Sequence, residues 1–502
     1  MFRSLLSVGG FTLLSRIAGL VRDMVMAPIL GHGALSDAFF VAFRLPNHFR
    51  TIFAEGAYNA AFVPMYTGLR AESPAKAHHF SRVMLGWQIA VQLVLLVIAL
   101  VATEFFVAVL APGYIDKPEQ MALAVNLTRI TFVYLICIAI VTHLGGMLNA
   151  EKKFWAAAAA PILLNIAMAG ALGIAFLFPS AGHAAAWGVV AGGFLEVLLL
   201  VGAARAANLP VMPALPTGDA NSREFLKRFG PATLGAAGVQ LALFADTILA
   251  SYLGAGAYTS LYYADRVNQL PMGVIAIALG TILLPEMSRS THAGDTTQTA
   301  RAFNRGTEMG LLLTMPCLAA FVVFPEAIMQ GLFARGAFDV EAANAAASVL
   351  VAYSWALPAF VVLRTVTPLF HAGGDTRTPV IATMIAMACN LAVKFGLIVG
   401  LHFGVEGLAL GTAVGTWVNV IILAAFAWSR GLLKVDTQLI DNGLRIICAT
   451  MFAAIVAWLL AEPLADSLPA LPHLRALVFA AILGVATLVA YGVSLVGFGW
   501  KR

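Results

Sequence analysis

Residues 13–66 read LLSRIAGLVRDMVMAPILGHGALSDAFFVAFRLPNHFRTIFAEGAYNAAFVPMY. The composition is that of membrane helices, yet it holds Arg16, Arg22, Arg44 and Arg50 together with Asp23, Asp37 and Glu55. Each charge at a bilayer centre costs on the order of 2.5–3.5 kcal/mol. Four guanidiniums in two adjacent helices therefore need a polar destination. One reading pairs them with the three carboxylates as internal ion pairs that hold helices together. The other is a water-filled cationic cavity that holds an anion, for which the planar fork of arginine matches phosphate oxygens. Asp37, Arg44, Thr51 and Glu55 share one helical stripe, and Asn47 and Arg50 a neighbouring one. That spacing permits Asp37–Arg44–Glu55 pairs and leaves Arg50 to face something else. Pro46 should kink the second helix. At about 1.5 Å per residue, Leu35 to Tyr66 exceeds the hydrocarbon thickness, so this stretch must tilt, bend or protrude.

The rest of the chain is of the same kind. Of 502 residues, 61% are hydrophobic and 11% charged, against about 25% charged in soluble domains. The pattern is an all-α polytopic membrane protein with about fourteen transmembrane helices. The start, MFRSLLSVGG, does not resemble a cleavable signal. Nineteen lysines and arginines fall in loops on the side of the termini and four on the opposite side, with seven inside spans. The positive-inside rule then puts both termini in the cytoplasm. The net charge of +5 reflects those loops, and no nucleic-acid partner is expected.

The sequence repeats at an offset of 222 or 223 residues. LGHGALSDAFFVAFR (30–44) resembles LGAGAYTSLYYADR (253–266), Leu148 to Ala150 line up with Phe370 to Ala372, and Gly188 and Gly192 with Gly411 and Gly415. The repeat predicts two six-helix lobes, 1–204 and 225–435, related by a pseudo-two-fold axis along the membrane normal. A cytoplasmic linker over 205–224 joins them, stiffened by Pro210, Pro213 and Pro216. Residues 436–502 add two further helices. Such lobes suit alternating access about a central site.

Several chemistries find no support. There is no P-loop and no HExxH motif. No carboxylates cluster as Mg²⁺ ligands of an embedded polyprenyl-phosphate enzyme. The four cysteines lack metal-ligand spacing. The expectation is a transporter without catalytic residues, metal or cofactor. The GxG sequences at 31–33 and 254–256 read as tight turns, and His143 as a satisfied core histidine. Asn165 is a candidate cavity hydrogen bonder or interhelical glue. Asp265-Arg266 is the second-lobe counterpart of the arginine-bearing stretch, with Arg266 matching Arg44. Asp246 and Lys394 lie at similar depth, so an ion pair is the cheapest relief for two buried charges.

SRIAGLVRD (15–23), SDAFFVAFRLPN (36–47), FAEGAYNAAFVP (53–64), GGMLNAEKKF (145–154), YYADR (262–266), ALGTILLPEMS (278–288) and AGGDTRTP (372–379) together resemble the MurJ (MviN-type) lipid II flippases. These are part of the superfamily of multidrug, oligosaccharidyl-lipid and polysaccharide exporters. The resemblance covers essentially the whole chain. It implies flipping of lipid II, undecaprenyl-diphosphate-linked disaccharide-pentapeptide, from the inner to the outer leaflet of the bacterial inner membrane. It also implies diphosphate contacts from Arg16, Arg22, Arg50 and Arg266, a functional role for Asp37, and a groove for the lipid tail in the last two helices. Asp23, Arg44, Glu55 and Asp265 are the accompanying gating or ion-pair candidates. Expected partners are lipid II, membrane lipids and the cell-wall synthesis machinery. The alternative substrate is another polyprenyl-diphosphate-linked oligosaccharide. Two departures stand out. Gln269 occupies a position where relatives often carry an acid. Lys394 sits where relatives that hold sodium can carry one, which argues for an Asp246–Lys394 pair in place of a sodium site.

Overall fold

The computed structural model describes residues 2–49, 56–292, 296–468 and 475–500. Side chains at 2–8, 48–49, 56–57, 232, 234–243, 276–278, 280–292 and 296 also lie outside the description. Every regular element among the described residues is helical. The chain divides into two compact units, Met1–Tyr258 and Thr259–Arg502.

The first unit holds α1 (Phe2–Leu30), α2 (Ala34–Phe49), α3 (Gly56–Glu72), α4 (Pro74–Val101), α5 (Thr103–Leu110), α6 (Pro118–Phe132), α7 (Tyr134–Ala150), α8 (Trp155–Gly173), α9 (Ala181–Ala206) and α10 (Ala220–Tyr252). In it α8 packs on α9 and α1, α2 on α6, and α10 on α3. Then come α11 (Ala257–His292), α12 (Thr296–Val323), α13 (Pro325–Phe333), α14 (Val340–Ser354), α15 (Ala356–Ala372), α16 (Arg377–Phe395), α17 (Glu406–Ser429), α18 (Thr437–Ser467) and α19 (Arg475–Gly497). In the second unit α18 packs on α19 and α12, and α17 on α15 and α16.

Ten stretches are long and apolar enough to cross a membrane, with α6–α7 and α14–α15 each counting as one. The other four expected spans fall on α1, α2–α3, α10 and α11, which all include residues only partly described. Outward faces are apolar: Val94, Val97 and Val101 on α4 and Val485, Val489, Val493 and Val496 on α19 are exposed. That is the arrangement a lipid solvent selects.

The sequence repeat reappears as geometry within each unit. At the end of α7, Lys152 adopts φ 59° and Lys153 N donates to Leu148 O at 2.8 Å. At the end of α15, Gly374 adopts φ 76° and Asp375 N donates to Phe370 O at 2.9 Å. Both are left-handed caps closed by the same six-residue bond. The paired glycines also do one job twice. A Cβ on Gly188 or Gly192 would lie 2.9 Å from the Cα of Met168 or Leu164, so α9 seats against α8 through them. A Cβ on Gly411 would lie 2.3 Å from Lys394 Cγ, and one on Gly415 2.7 Å from Asn390 Cβ, so α17 seats against α16. By offset, Asn390 and Lys394 occupy the places of Ala167 and Ala171.

The proline-bearing linker is strapped down. Ala214 N donates to Arg82 O at 2.8 Å, Arg82 Nε to Met212 O at 3.3 Å and Trp87 Nε1 to Thr217 O at 3.0 Å. Gly86 admits the strand of chain, because a Cβ there would stand 2.0 Å from Ala214 O.

Candidate functional site

In α1 the helical turn places Arg22 and Asp23 toward α8 and leaves Arg16 exposed. Arg22 is only 5% exposed. Its Nε and Nη2 donate to Asp23 Oδ1 at 3.0 and 2.6 Å, and Nη1 donates to Asn165 Oδ1 at 3.0 Å. Asn165 in turn donates through Nδ2 to Ser15 O at 3.3 Å. A buried guanidinium thus meets one carboxylate and one amide from the facing helix. Gly19 faces the Asn165 amide, and a Cβ there would stand 3.7 Å from Nδ2, an ordinary contact.

A second group forms where turns meet. Gly256, at φ 90°, donates its N–H to Asp37 Oδ2 at 2.8 Å. The His32 ring lies against its bare Cα, 2.1 Å from where a Cβ would stand. Only glycine satisfies both the backbone angle and the contact. Arg44 donates to the Tyr258 hydroxyl and lies over its ring at 5.5 Å, and Phe40 meets that ring edge-on at 6.4 Å. Gly113 N donates to Ser251 Oγ at 3.0 Å. In that turn, burial pushes the Tyr114 phenol up, and the nearby Asp37 and Tyr258 add to the effect. The turns at 31–33 and 253–256 are tight, as their glycine spacing predicted.

Early in α11, Gln269 Nε2 donates to Asp265 Oδ2 at 2.5 Å and Arg266 stacks over Tyr262 at 4.8 Å. An amide at 269 therefore supports the Asp265 carboxylate, where an acid would repel it. Lys394 is only 2% exposed, and Asp246 is buried too. One turn before Lys394, Asn390 Oδ1 is buried with no hydrogen-bond partner among the described residues. Arg50 and Glu55 lie outside the described residues.

His143 is a satisfied core histidine: Tyr58 Oη lies 2.7 Å from Nδ1 and Ser81 Oγ 2.9 Å from Nε2. In the AGGDTRTP stretch, Asp375 accepts from Arg377 N and Thr378 N, each at 3.0 Å, and pairs with Arg430 at 2.5 Å. Hydrogen bonds from Thr378, then from Arg430, hold its carboxyl well below the usual range. The sequence reading passed over one buried acid, Glu196, and one half-buried acid, Glu308. Glu196 on α9 accepts from Tyr134 Oη on α7 at 3.2 Å, and Glu308 on α12 accepts from Asn442 Nδ2 at 2.8 Å. A carboxylate inside an apolar span was the available signal for Glu196.

A family model described as "Lipid II flippase MurJ" matches residues 26–469. The chain is 36% identical over 499 residues to the probable lipid II flippase MurJ of Rhizobium meliloti (strain 1021), covering 97% of this chain and 92% of that one. It is 34% identical to the counterpart in Rhizobium tropici, covering 99% and 93%. Among solved structures it resembles "Lipid II flippase MurJ, inward closed conformation" with a TM-score of 0.79 at 23% identity, over 97% and 98% of the two chains. An inward-facing multidrug MATE transporter follows at a TM-score of 0.67 and 14% identity, over 85% and 98%. The family match spans most of the sequence, and the relatives align almost end to end: this multi-pass membrane protein belongs to the MurJ family of lipid II flippases.

Proposed function

We propose that this protein carries lipid II from the inner to the outer leaflet of the bacterial cytoplasmic membrane by alternating access. It does so as a transporter, with no catalytic step of its own. The observation that carries the reading, beside the family, is the buried Arg22–Asp23–Asn165 cluster in helices whose outer faces are apolar. A guanidinium is kept in hydrocarbon only where its charge has a use or a partner. In this reading Arg16, Arg22, Arg50 and Arg266 serve the diphosphate, and Asn165 orients Arg22. Asp23, Asp37, Arg44, Glu55 and Asp265 make and break the ion pairs of gating. Residues 1–204 and 225–435 act as the two lobes, and 436–502 guide the polyprenyl tail. Asp246 is the proposed counter-charge of Lys394. Cell-wall synthases would consume the flipped product.

The direct test is depletion of the protein in cells, with lipid II in the outer leaflet detected by an impermeant reagent. Outer-leaflet lipid II should fall while total lipid II accumulates. Unchanged exposure of lipid II, with loss of a different lipid-linked glycan outside, would overturn the substrate assignment.

The orientation has its own test. Cysteines introduced in the 205–222 linker should resist impermeant external thiol reagents, and one at Lys117 should react. Labelling of the linker from outside would invert the topology.

A further inference from the structure

The first turns of α12 place Arg301, Asn304, Arg305 and Glu308 on one face, at spacings of three, one and three. With Asp436, the N-cap of α18, and Trp500, they line a cleft of about 730 Å³ in the second unit. Its floor is fixed. Glu308 Oε1 accepts from Asn442 Nδ2 at 2.8 Å and from Trp500 Nε1 at 3.0 Å, and Arg445 Nη1 donates to Asn442 Oδ1 at 3.1 Å. Asn304 is 5% exposed; its Nδ2 donates to Lys434 O at 3.0 Å, while its Oδ1 is buried with no partner among the described residues. A buried acceptor left unmade costs about 1–3 kcal/mol. Arg301 and Arg305 are exposed at the mouth.

Two demands therefore meet in one cleft. The guanidiniums, one helical turn apart, suit an anion with several oxygens. Asn304 Oδ1 and the carboxylates of Glu308 and Asp436 suit a donor, best a cationic one. A simple anion meets only the first demand and is repelled by the two acids. A simple cation meets only the second. Met309 and Leu312 continue the wall with apolar side chains, and a tryptophan at the rim is the residue type of a membrane interface. We propose that the cleft binds the headgroup of a phospholipid bearing a primary amine, with its phosphate on Arg301 and Arg305 and its ammonium on Asn304 Oδ1, Glu308 and Asp436. The orientation proposed above decides only which leaflet supplies the lipid, here the cytoplasmic one. The chemistry of binding does not depend on flipping.

The test is native mass spectrometry of the delipidated full chain in detergent, offered phosphatidylethanolamine, phosphatidylcholine or phosphatidylglycerol. The choline headgroup keeps the charges but has no N–H to donate. Losing a charge-assisted hydrogen bond should weaken it about tenfold relative to ethanolamine. The variant R301Q/R305Q, altered only at exposed side chains, should bind all three lipids about tenfold more weakly, because each presents the same phosphate, while melting at the parent temperature. Equal binding of the ethanolamine and choline lipids, or of the ethanolamine and glycerol lipids, would overturn the proposal. So would an unchanged affinity for phosphatidylethanolamine in R301Q/R305Q. Soluble glycerophosphoethanolamine should compete weakly, and competition as strong as the lipid's would remove the lipid assignment.

Discussion

Arg22→Ala is expected to abolish support of growth and also to lower the amount of folded protein. The two effects have separate causes. Asp23 Oδ1 takes two hydrogen bonds from Arg22. Removing one partner of a buried pair leaves an uncompensated charge, a loss of about 3–5 kcal/mol. The double variant Arg22→Ala/Asp23→Ala removes that charge. It should restore much of the protein level and none of the activity. Arg16→Ala tests the site at an exposed guanidinium, where less desolvation is at stake. It should leave the level near that of the parent and still fail to support growth. Arg16→Lys and Arg22→Lys should rescue only partly, because a point charge cannot make the two-pronged contact of a guanidinium with a diphosphate. The measurement is complementation read beside immunoblot level and thermal stability. Full growth with Arg16→Ala, or recovery of growth in the double variant, would reduce the cluster to a structural pair.

The second large effect is expected at Lys394. Its stem lies against Gly411, so Lys394→Met keeps the volume and removes the ammonium. If the ammonium answers a buried carboxylate, the variant should lose about 3–5 kcal/mol and the capacity to support growth. Asp246→Asn should behave alike if it is the partner, and the double variant should recover stability. Transport by the parent should be indifferent to replacing sodium by potassium. Sodium-dependent transport would sink the pair, and Asn390 Oδ1, buried beside Lys394 without a bonded partner among the described residues, would then be a natural ligand for the ion.

Much of this architecture was legible because hydrocarbon is an unforgiving solvent. Runs of apolar residues have no option but helices, and loop arginines and lysines mark one side. The repeat was legible because glycines at helix crossings leave little freedom to vary: Gly188 and Gly192 meet backbone on α8, and Gly411 and Gly415 meet the Lys394 and Asn390 side chains on α16 at close range. The partners of the charges were less legible. Helical spacing set Arg44 in line with Asp37 and Glu55, and it did not show that Arg44 also reaches Tyr258 or that Asp37 also reaches Gly256 N, each more than two hundred residues away in sequence. Periodicity reports faces of one helix, and such bonds are made between turns. Glu308 escaped notice for a related reason. On its own helix it is one more acid near a membrane surface, and its donors come from α18 and the C-terminal segment.

The two glycine-seated crossings carry a lesson about how a duplicated chain diversifies. One copy has Ala167 and Ala171 beneath its glycines, and the other has Asn390 and Lys394 in those places. The backbone gap is set by the glycines in either case, so side chains facing it could change while the crossing stayed put. A lysine stem is slim enough to lie in the groove that alanine occupies in the other copy. The same crossing thus stays apolar under its glycines in one copy and carries an amide and a buried charge in the other. The asymmetry of the two halves is then a record of where innovation was mechanically cheap.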